Sequence, residues 1–281
     1  MSRISLAVPN KGRLMSPTAD LLRNAGLLFE RTDRTLTTSA RNAPVDLLFV
    51  RTEDVVEMVA DGVADAGIVG LDLLEESGAP LGVLAQLDYG RCRLAAAVPT
   101  ASAIEKIEDL EGCRIATAHP RLTRRLLAER GITVTIVPLH GSVEAAPKLG
   151  VADAVADLVS SGSTLLVNGL RPLATLLPAQ AVLVAGADAP PGVERLATML
   201  RAVVSGRSKR YVMMNAPAEM VPAIEELIPG LAAPSVIPLA HNGHLAVHSV
   251  VEADDLWQLL PELEAAGATG ILVLPIEQLI A

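Results

Sequence analysis

Aromatic side chains are nearly missing from this sequence, which has two phenylalanines, two tyrosines and one tryptophan in 281 residues. Stacking platforms for single-stranded nucleic acid are therefore few. Positive charge is also short: 23 Lys and Arg stand against 32 Asp and Glu, for a net charge of −9. No broad basic face is expected, which argues against nucleic acid as a partner. The two cysteines, Cys92 and Cys113, fit no metal or redox spacing, as in a reduced cytoplasmic protein. No apolar run reaches the roughly 18 residues of a membrane span, and the start, MSRISLAVPNKGRL, lacks the apolar stretch and cleavage site of an export signal. A cytoplasmic protein with no membrane partner is expected. What the chain has in quantity is aliphatic residues. Hydrophobic types make up 51% of it, enough for the core of two or three domains.

Over the first 190 residues, short β-branched runs alternate with helix-period segments. Strands are expected at 4–8, 45–50, 66–69, 94–98, 114–118, 133–138, 154–159 and 181–184, and helices at 16–25, 52–61, 122–130 and 164–177. This is an α/β pattern with mostly parallel sheets. The pentapeptide GVADA occurs twice, at Gly62–Ala66 and Gly150–Ala154, each time after a helix-like run and before a strand that ends in a glycine turn. The echo points to two similar α/β lobes facing each other. Beyond Pro190-Pro191-Gly192 the pattern changes, and from Arg210 it reads β-α-β-β-α-β, the order of a ferredoxin-like domain. The expected domains are 1–91 with 172–190, 92–171, and 191–281.

The stretch DLVSSGSTL at Asp157–Leu165 carries the chemistry. In a parallel sheet, ligands sit beyond the carboxyl ends of the strands. Asp157 would stand near such an end, and Ser160, Ser161, Gly162, Ser163 and Thr164 would turn into the next helix. Backbone N–H groups and hydroxyls converging there suit a phosphate, while a carboxylate just before them suits sugar hydroxyls. A sugar phosphate fits both. The competing reading makes Ser163 or Thr164 a simple helix cap and Asp157 a strand end.

The longer segment EAAPKLGVADAVADLVSSGSTL, from Glu144, resembles the signature of the ATP phosphoribosyltransferase family, the first enzyme of histidine biosynthesis. The segments PNKGRL (Pro9–Leu14), GIVGLDLLEE (Gly67–Glu76), LDYGRCRLAAAVP (Leu87–Pro99), RIATAHP (Arg114–Pro120), SVIPLA (Ser235–Ala240) and GATGILVLPIEQL (Gly267–Leu279) are similar to the same family in the same order. The resemblance covers nearly the whole chain, including the C-terminal domain that marks the long form. It implies two facing lobes of periplasmic-binding-protein-like type II architecture and a C-terminal ferredoxin-like α+β domain. It further implies transfer of the phosphoribosyl group of 5-phosphoribosyl 1-pyrophosphate to N1 of ATP, release of pyrophosphate, a need for Mg²⁺, assembly of dimers into hexamers, and feedback inhibition by histidine.

Carried over by resemblance, Asp157, Glu144 and Asp153 are catalytic candidates, with Asp153 equally open to a structural role like Asp65 in the other GVADA copy. Ser160–Thr164 would hold the 5-phosphate. Lys11, Arg13, Arg51, Asp72 and His119 would serve ATP. His119 departs from the family, which commonly has tyrosine in ATAYP or ATSYP. Arg91 and Arg93 suit either a hinge or a ligand. Ser235, Leu239, Ala268 and Thr269 are candidates for the histidine site. His241, His244 and His248 have no carboxylate or cysteine partners in a metal pattern and read as surface residues. The groups that ligate Mg²⁺ are not legible. Two rivals remain open: a non-catalytic solute-binding protein, and the effector-binding half of a transcription regulator.

Overall fold

The computed structural model describes residues 3–31, 35–228, 230–231, 233–240 and 243–280. Its chain forms two compact units: residues 1–23 with 27–197, and residues 24–26 with 198–281.

The first unit holds two sheets. The six-stranded sheet has the order β2-β3-β1-β4-β11-β5, from β1 (Ile4–Pro9), β2 (Thr37–Ser39), β3 (Val45–Val50), β4 (Ala66–Gly70), β5 (Gly82–Gln86) and β11 (Ala181–Ala185). Helices α1 (Met15–Asn24), α2 (Val55–Ala60) and α3 (Leu71–Ser77) follow β1, β3 and β4. Helix α2 lies so close on β4 that a Cβ at Gly67 would stand 2.5 Å from Val55 Cγ1. The five-stranded sheet has the order β10-β6-β9-β7-β8, from β6 (Cys92–Pro99), β7 (Arg114–Thr117), β8 (Thr135–Pro138), β9 (Ala154–Val159) and β10 (Leu170–Ala179), with helices α4 (Pro120–Ala128) and α5 (Ser163–Val167). Both of its faces are buried, because alternate residues of β6 and β9 enter two separate cores. Leu94, Ala96, Ala154 and Ala156 lie in one, and Ala95, Ala97, Val155 and Val159 in the other.

Two expectations are corrected here. The sheets are mixed rather than mostly parallel: β1 pairs in parallel with β3 and β4, and β7 with β8 and β9, while β2, β5, β6, β10 and β11 pair antiparallel. The helix expected at 164–177 ends at Val167, and Leu170–Ala179 is a strand along β6. Asn168-Gly169 breaks the helix, with Gly169 at φ +71°, and Pro172 then stops any restart. Residues 172–179, expected in the first lobe, therefore pair in the second sheet. The chain crosses between the sheets twice, and the crossings bind each other: Leu87 N–H donates to Ala181 O (3.0 Å) and Ala181 N–H to Tyr89 O (3.0 Å).

The second unit has a four-stranded sheet of order β13-β14-β12-β15, from β12 (Lys209–Pro217), β13 (Ser235–Pro238), β14 (His244–Glu252) and β15 (Thr269–Pro275), with helices α7 (Val221–Leu227) and α8 (Leu256–Ala265). This is the expected ferredoxin-like order. Val212, Met214, Val247, Ile224 and Leu263 form its core. Helix α6 (Pro191–Arg207) belongs to the first unit up to Ala197 and to the second from Thr198.

Candidate functional site

A cleft of about 430 Å³ opens where strands of both sheets end. Gly12 and Arg13 reach it from beyond β1, Thr52 and Glu53 from beyond β3, and Gly70 and Asp72 from the β4–α3 junction. From the other sheet come His119 after β7, His140 and Gly141 after β8, and Leu158 in β9. The strands β1, β3, β4, β7, β8 and β9 are those in parallel pairs, so their carboxyl ends share one side of each sheet. That is where a ligand belongs.

Across the cleft, His119 Nε2 stands 3.3 Å from Asp72 Oδ2. Both side chains are buried, yet Asp72 Oδ1 and His119 Nδ1 have no hydrogen-bond partner, and neither has Asn10 Oδ1. A buried polar atom without a partner carries a desolvation cost that a ligand can remove. Asp157 is half-buried in β9, and its carboxylate accepts from Leu158 N–H at 2.8 Å. Burial pushes its carboxyl above the usual carboxylate range; Glu144 adds to the rise, while the Leu158 N–H and the nearby His119 oppose it. Glu144 sits in a 3-10 turn, Val143–Ala145, preceded by Ser142 at φ +49°. Beyond β9, Gly162 takes φ +84°, a backbone that L side chains rarely adopt, and starts α5. Ser161 Oγ and Ser163 Oγ lie 2.9 Å apart on this exposed turn.

The expected residues are thus only partly gathered. Arg13, Asp72 and His119 line the cleft, and Arg13 also donates to Cys92 Sγ at 3.1 Å. Lys11 and Arg51 are exposed, each beside a lining residue. Asp153 lies at the opposite end of β9 from Asp157. Its carboxylate accepts from Arg114 N–H (2.8 Å) and pairs with the Arg114 guanidinium (2.8 Å), which holds its carboxyl below the usual range. Asp65, its counterpart in the other GVADA copy, accepts from Ser5 N–H at 2.6 Å. The repeated aspartate thus accepts from the backbone near the start of a neighbouring parallel strand in each lobe. Arg91 pairs with Asp88 in the first crossing.

In the second unit, Ser235 and Leu239 lie on and just after edge strand β13, and Ala268 and Thr269 just before and on the opposite edge strand β15. One chain does not bring these four together. His248 Nδ1 is 2.9 Å from Tyr211 Oη, His244 is exposed, and His241 lies outside the described residues. Among the described residues, no group of three His, Cys, Asp or Glu could hold a metal, and no helix is long and apolar enough to cross a membrane. Sequence reasoning missed Glu53 and His140 at the cleft, and helix α3, whose stop signal was Gly78 in the left-handed region.

Fold and cleft together define a two-lobed α/β protein of periplasmic-binding-protein-like type II architecture with an added ferredoxin-like unit. A family model described as ATP phosphoribosyltransferase matches residues 51–203, and one described as HisG, C-terminal domain matches residues 206–278. The chain belongs to the ATP phosphoribosyltransferase family, glycosyltransferase-type enzymes of the first step of histidine biosynthesis. It is 41% identical to the ATP phosphoribosyltransferase of Gemmatimonas aurantiaca and 39% identical to that of Methanococcoides burtonii, over 99% of both chains in each case. Among solved structures, an ATP phosphoribosyl transferase (HisG:HisZ) complex from Thermotoga maritima has a chain that is 30% identical with a TM-score of 0.59, covering 70% of this chain and 95% of that one. A putative L-cystine ABC transporter from Listeria monocytogenes, 14% identical with a TM-score of 0.51 over 74% of this chain and 92% of that one, shares the fold alone.

Proposed function

We propose that this chain joins N1 of the adenine of ATP to C1 of 5-phosphoribosyl 1-pyrophosphate, in the cytoplasm, and that histidine inhibits it. The observation that carries the proposal is the placement of Asp157, a half-buried carboxylate in β9 a few residues before a hydroxyl-rich glycine turn. As the C1–O bond breaks, the ribose becomes positive, and a carboxylate already poorly solvated gains more from that charge than from the neutral substrate. The adenine N1 lone pair forms the new bond, and the pyrophosphate leaves with the bonding electrons. No covalent nucleophile is required, so orientation and electrostatics supply the catalysis.

Ser160–Thr164 would hold the 5-phosphate through hydroxyls and turn N–H groups, and Asp157 the ribose hydroxyls. Arg13 would meet polyphosphate, with Lys11 and Arg51 adjoining the lining residues Gly12 and Thr52, while Asp72 and His119 would place their unpartnered atoms against the nucleoside. Glu144 would add to the cost that burial sets on charging Asp157. Asp153 holds the strands. Mg²⁺ would enter as an ion carried by the substrate phosphates, keeping several of its waters. When bound, it neutralises charge on the departing pyrophosphate.

Histidine inhibition and assembly belong to the second unit. Helices α7 and α8 share one core with its sheet, and Ile237, Leu272 and Leu274 are 48%, 56% and 45% exposed. Because the histidine-site candidates lie at opposite sheet edges, a site built from both takes two copies, which supports a homo-oligomer, dimer to hexamer. The test is to mix ATP, 5-phosphoribosyl 1-pyrophosphate and Mg²⁺ and follow pyrophosphate, with and without histidine. Release that histidine suppresses is the expected result. Binding of a small solute with no consumption of ATP would overturn the proposal in favour of a solute-binding protein.

A further inference from the structure

Helix α4 starts at Pro120, and its N-cap residue is His119, whose side chain makes no cap hydrogen bond. Such a position normally carries a side chain that accepts from the N–H groups of the first turn. Here the acceptor comes from the other lobe. Glu76, in the last turn of α3, accepts from Arg121 N–H at 3.0 Å and from Leu122 N–H at 2.7 Å. The contact is reciprocal, because Arg121 Nη1 donates to Ser77 O, a carbonyl at the end of α3, at 2.7 Å. Each helix end thus has orphan backbone groups satisfied by the opposite lobe. Glu76 also places a negative charge at the positive end of α4. The Arg125–Glu75 ion pair nearby is partly exposed and adds little.

The same two short segments carry the polar pair of the cleft. Asp72 sits near the start of α3, and His119 immediately precedes α4. The His119 ring faces Asp72, while Glu76 accepts from the first-turn N–H groups of α4. We propose that Glu76 is an interlobe positioning residue: by capping α4 from α3 it fixes the lobe closure at which His119 meets Asp72, and so sets the affinity for the adenine nucleotide. This rests on the assignment of the Asp72–His119 side of the cleft to ATP. It does not extend to the sugar phosphate, whose proposed turn and carboxylate lie wholly in the second lobe.

Two measurements on the full-length protein test it. Hydrogen exchange at the Arg121 and Leu122 amides reads the clasp with no ligand present. Both should be protected in the parent protein and exchange about tenfold faster in Glu76→Ala, the scale of a lost helix cap. Steady-state kinetics then reads the consequence. Glu76→Ala should raise KM for ATP several-fold, change KM for 5-phosphoribosyl 1-pyrophosphate less than about twofold, and leave kcat within about threefold, because an opened population lowers apparent affinity. Glu76→Gln keeps one acceptor oxygen and should fall between, and it carries the test if Glu76→Ala does not fold. Unprotected amides in the parent protein, or equal rises in both KM values, would overturn the proposal. A parent protein that releases no pyrophosphate would overturn the proposed function instead, with the clasp still decided by exchange.

Discussion

Replacing Asp157 by asparagine separates a functional carboxylate from a structural one, because the two readings predict opposite changes in stability. In the folded protein the Asp157 carboxylate is half-buried, keeps one internal hydrogen bond, from Leu158 N–H at 2.8 Å, and faces the charge of Glu144. An amide of the same size can keep that hydrogen bond without the charge. Relief of one partly solvated charge is worth about 1 kcal/mol, which moves a melting midpoint by about 2–4 °C. Asp157→Asn is therefore expected to melt higher than the parent at neutral pH. The sign with pH follows from burial raising the folded-state pKa: the associated stability is present at low pH and is lost as pH rises through the raised value. The advantage of the variant should accordingly be near zero below the ordinary carboxylate pKa of about 3.9 and grow as pH rises above it. Turnover should fall by about 10²-fold, the scale for one preorganised electrostatic partner of a transition state. Scanning calorimetry across pH, beside single-turnover pyrophosphate release, measures both. A variant that melts lower than the parent and turns over normally would refute the reasoning and make Asp157 a structural residue.

Gly162→Val should raise KM for 5-phosphoribosyl 1-pyrophosphate well above any change for ATP. The cause is backbone strain of about 1–2 kcal/mol at a left-handed residue, not crowding, since an added Cβ would find only Val159 Cγ1 at an ordinary 3.8 Å; unchanged KM values in a folded variant would remove the phosphate turn. Asp153→Asn should lower the melting midpoint by about 2 °C while kcat stays at the parent level, and because Arg114 depresses its pKa, the stabilisation it provides is lost as pH falls through the lowered value; a large loss of turnover without loss of stability would return it to the catalytic group. Chelation of divalent ions should abolish pyrophosphate release without lowering the melting midpoint of the substrate-free protein, as checked by adding EDTA to both assays.

The sequence by itself determined the alternation of strands and helices, the ferredoxin-like order beyond Pro190, and the neighbourhood of Asp157 and Gly162, because these depend on local periodicity and on residues close together in the chain. The GVADA echo announced two related lobes, but only the fold explained its aspartates. Asp65 and Asp153 tether Ser5 and Arg114, partners 60 and 39 positions away. The strand at Leu170–Ala179 carried a helix-like apolar pattern. Its conformation is set by β6, which offers a row of backbone partners that no local propensity records. The meeting of Asp72 with His119, and the cap that Glu76 supplies to α4, likewise join segments 45 to 47 residues apart. Single residues name the chemistry they can perform, whereas which groups face one another, and at what cost of desolvation, is decided by long-range packing of the two lobes.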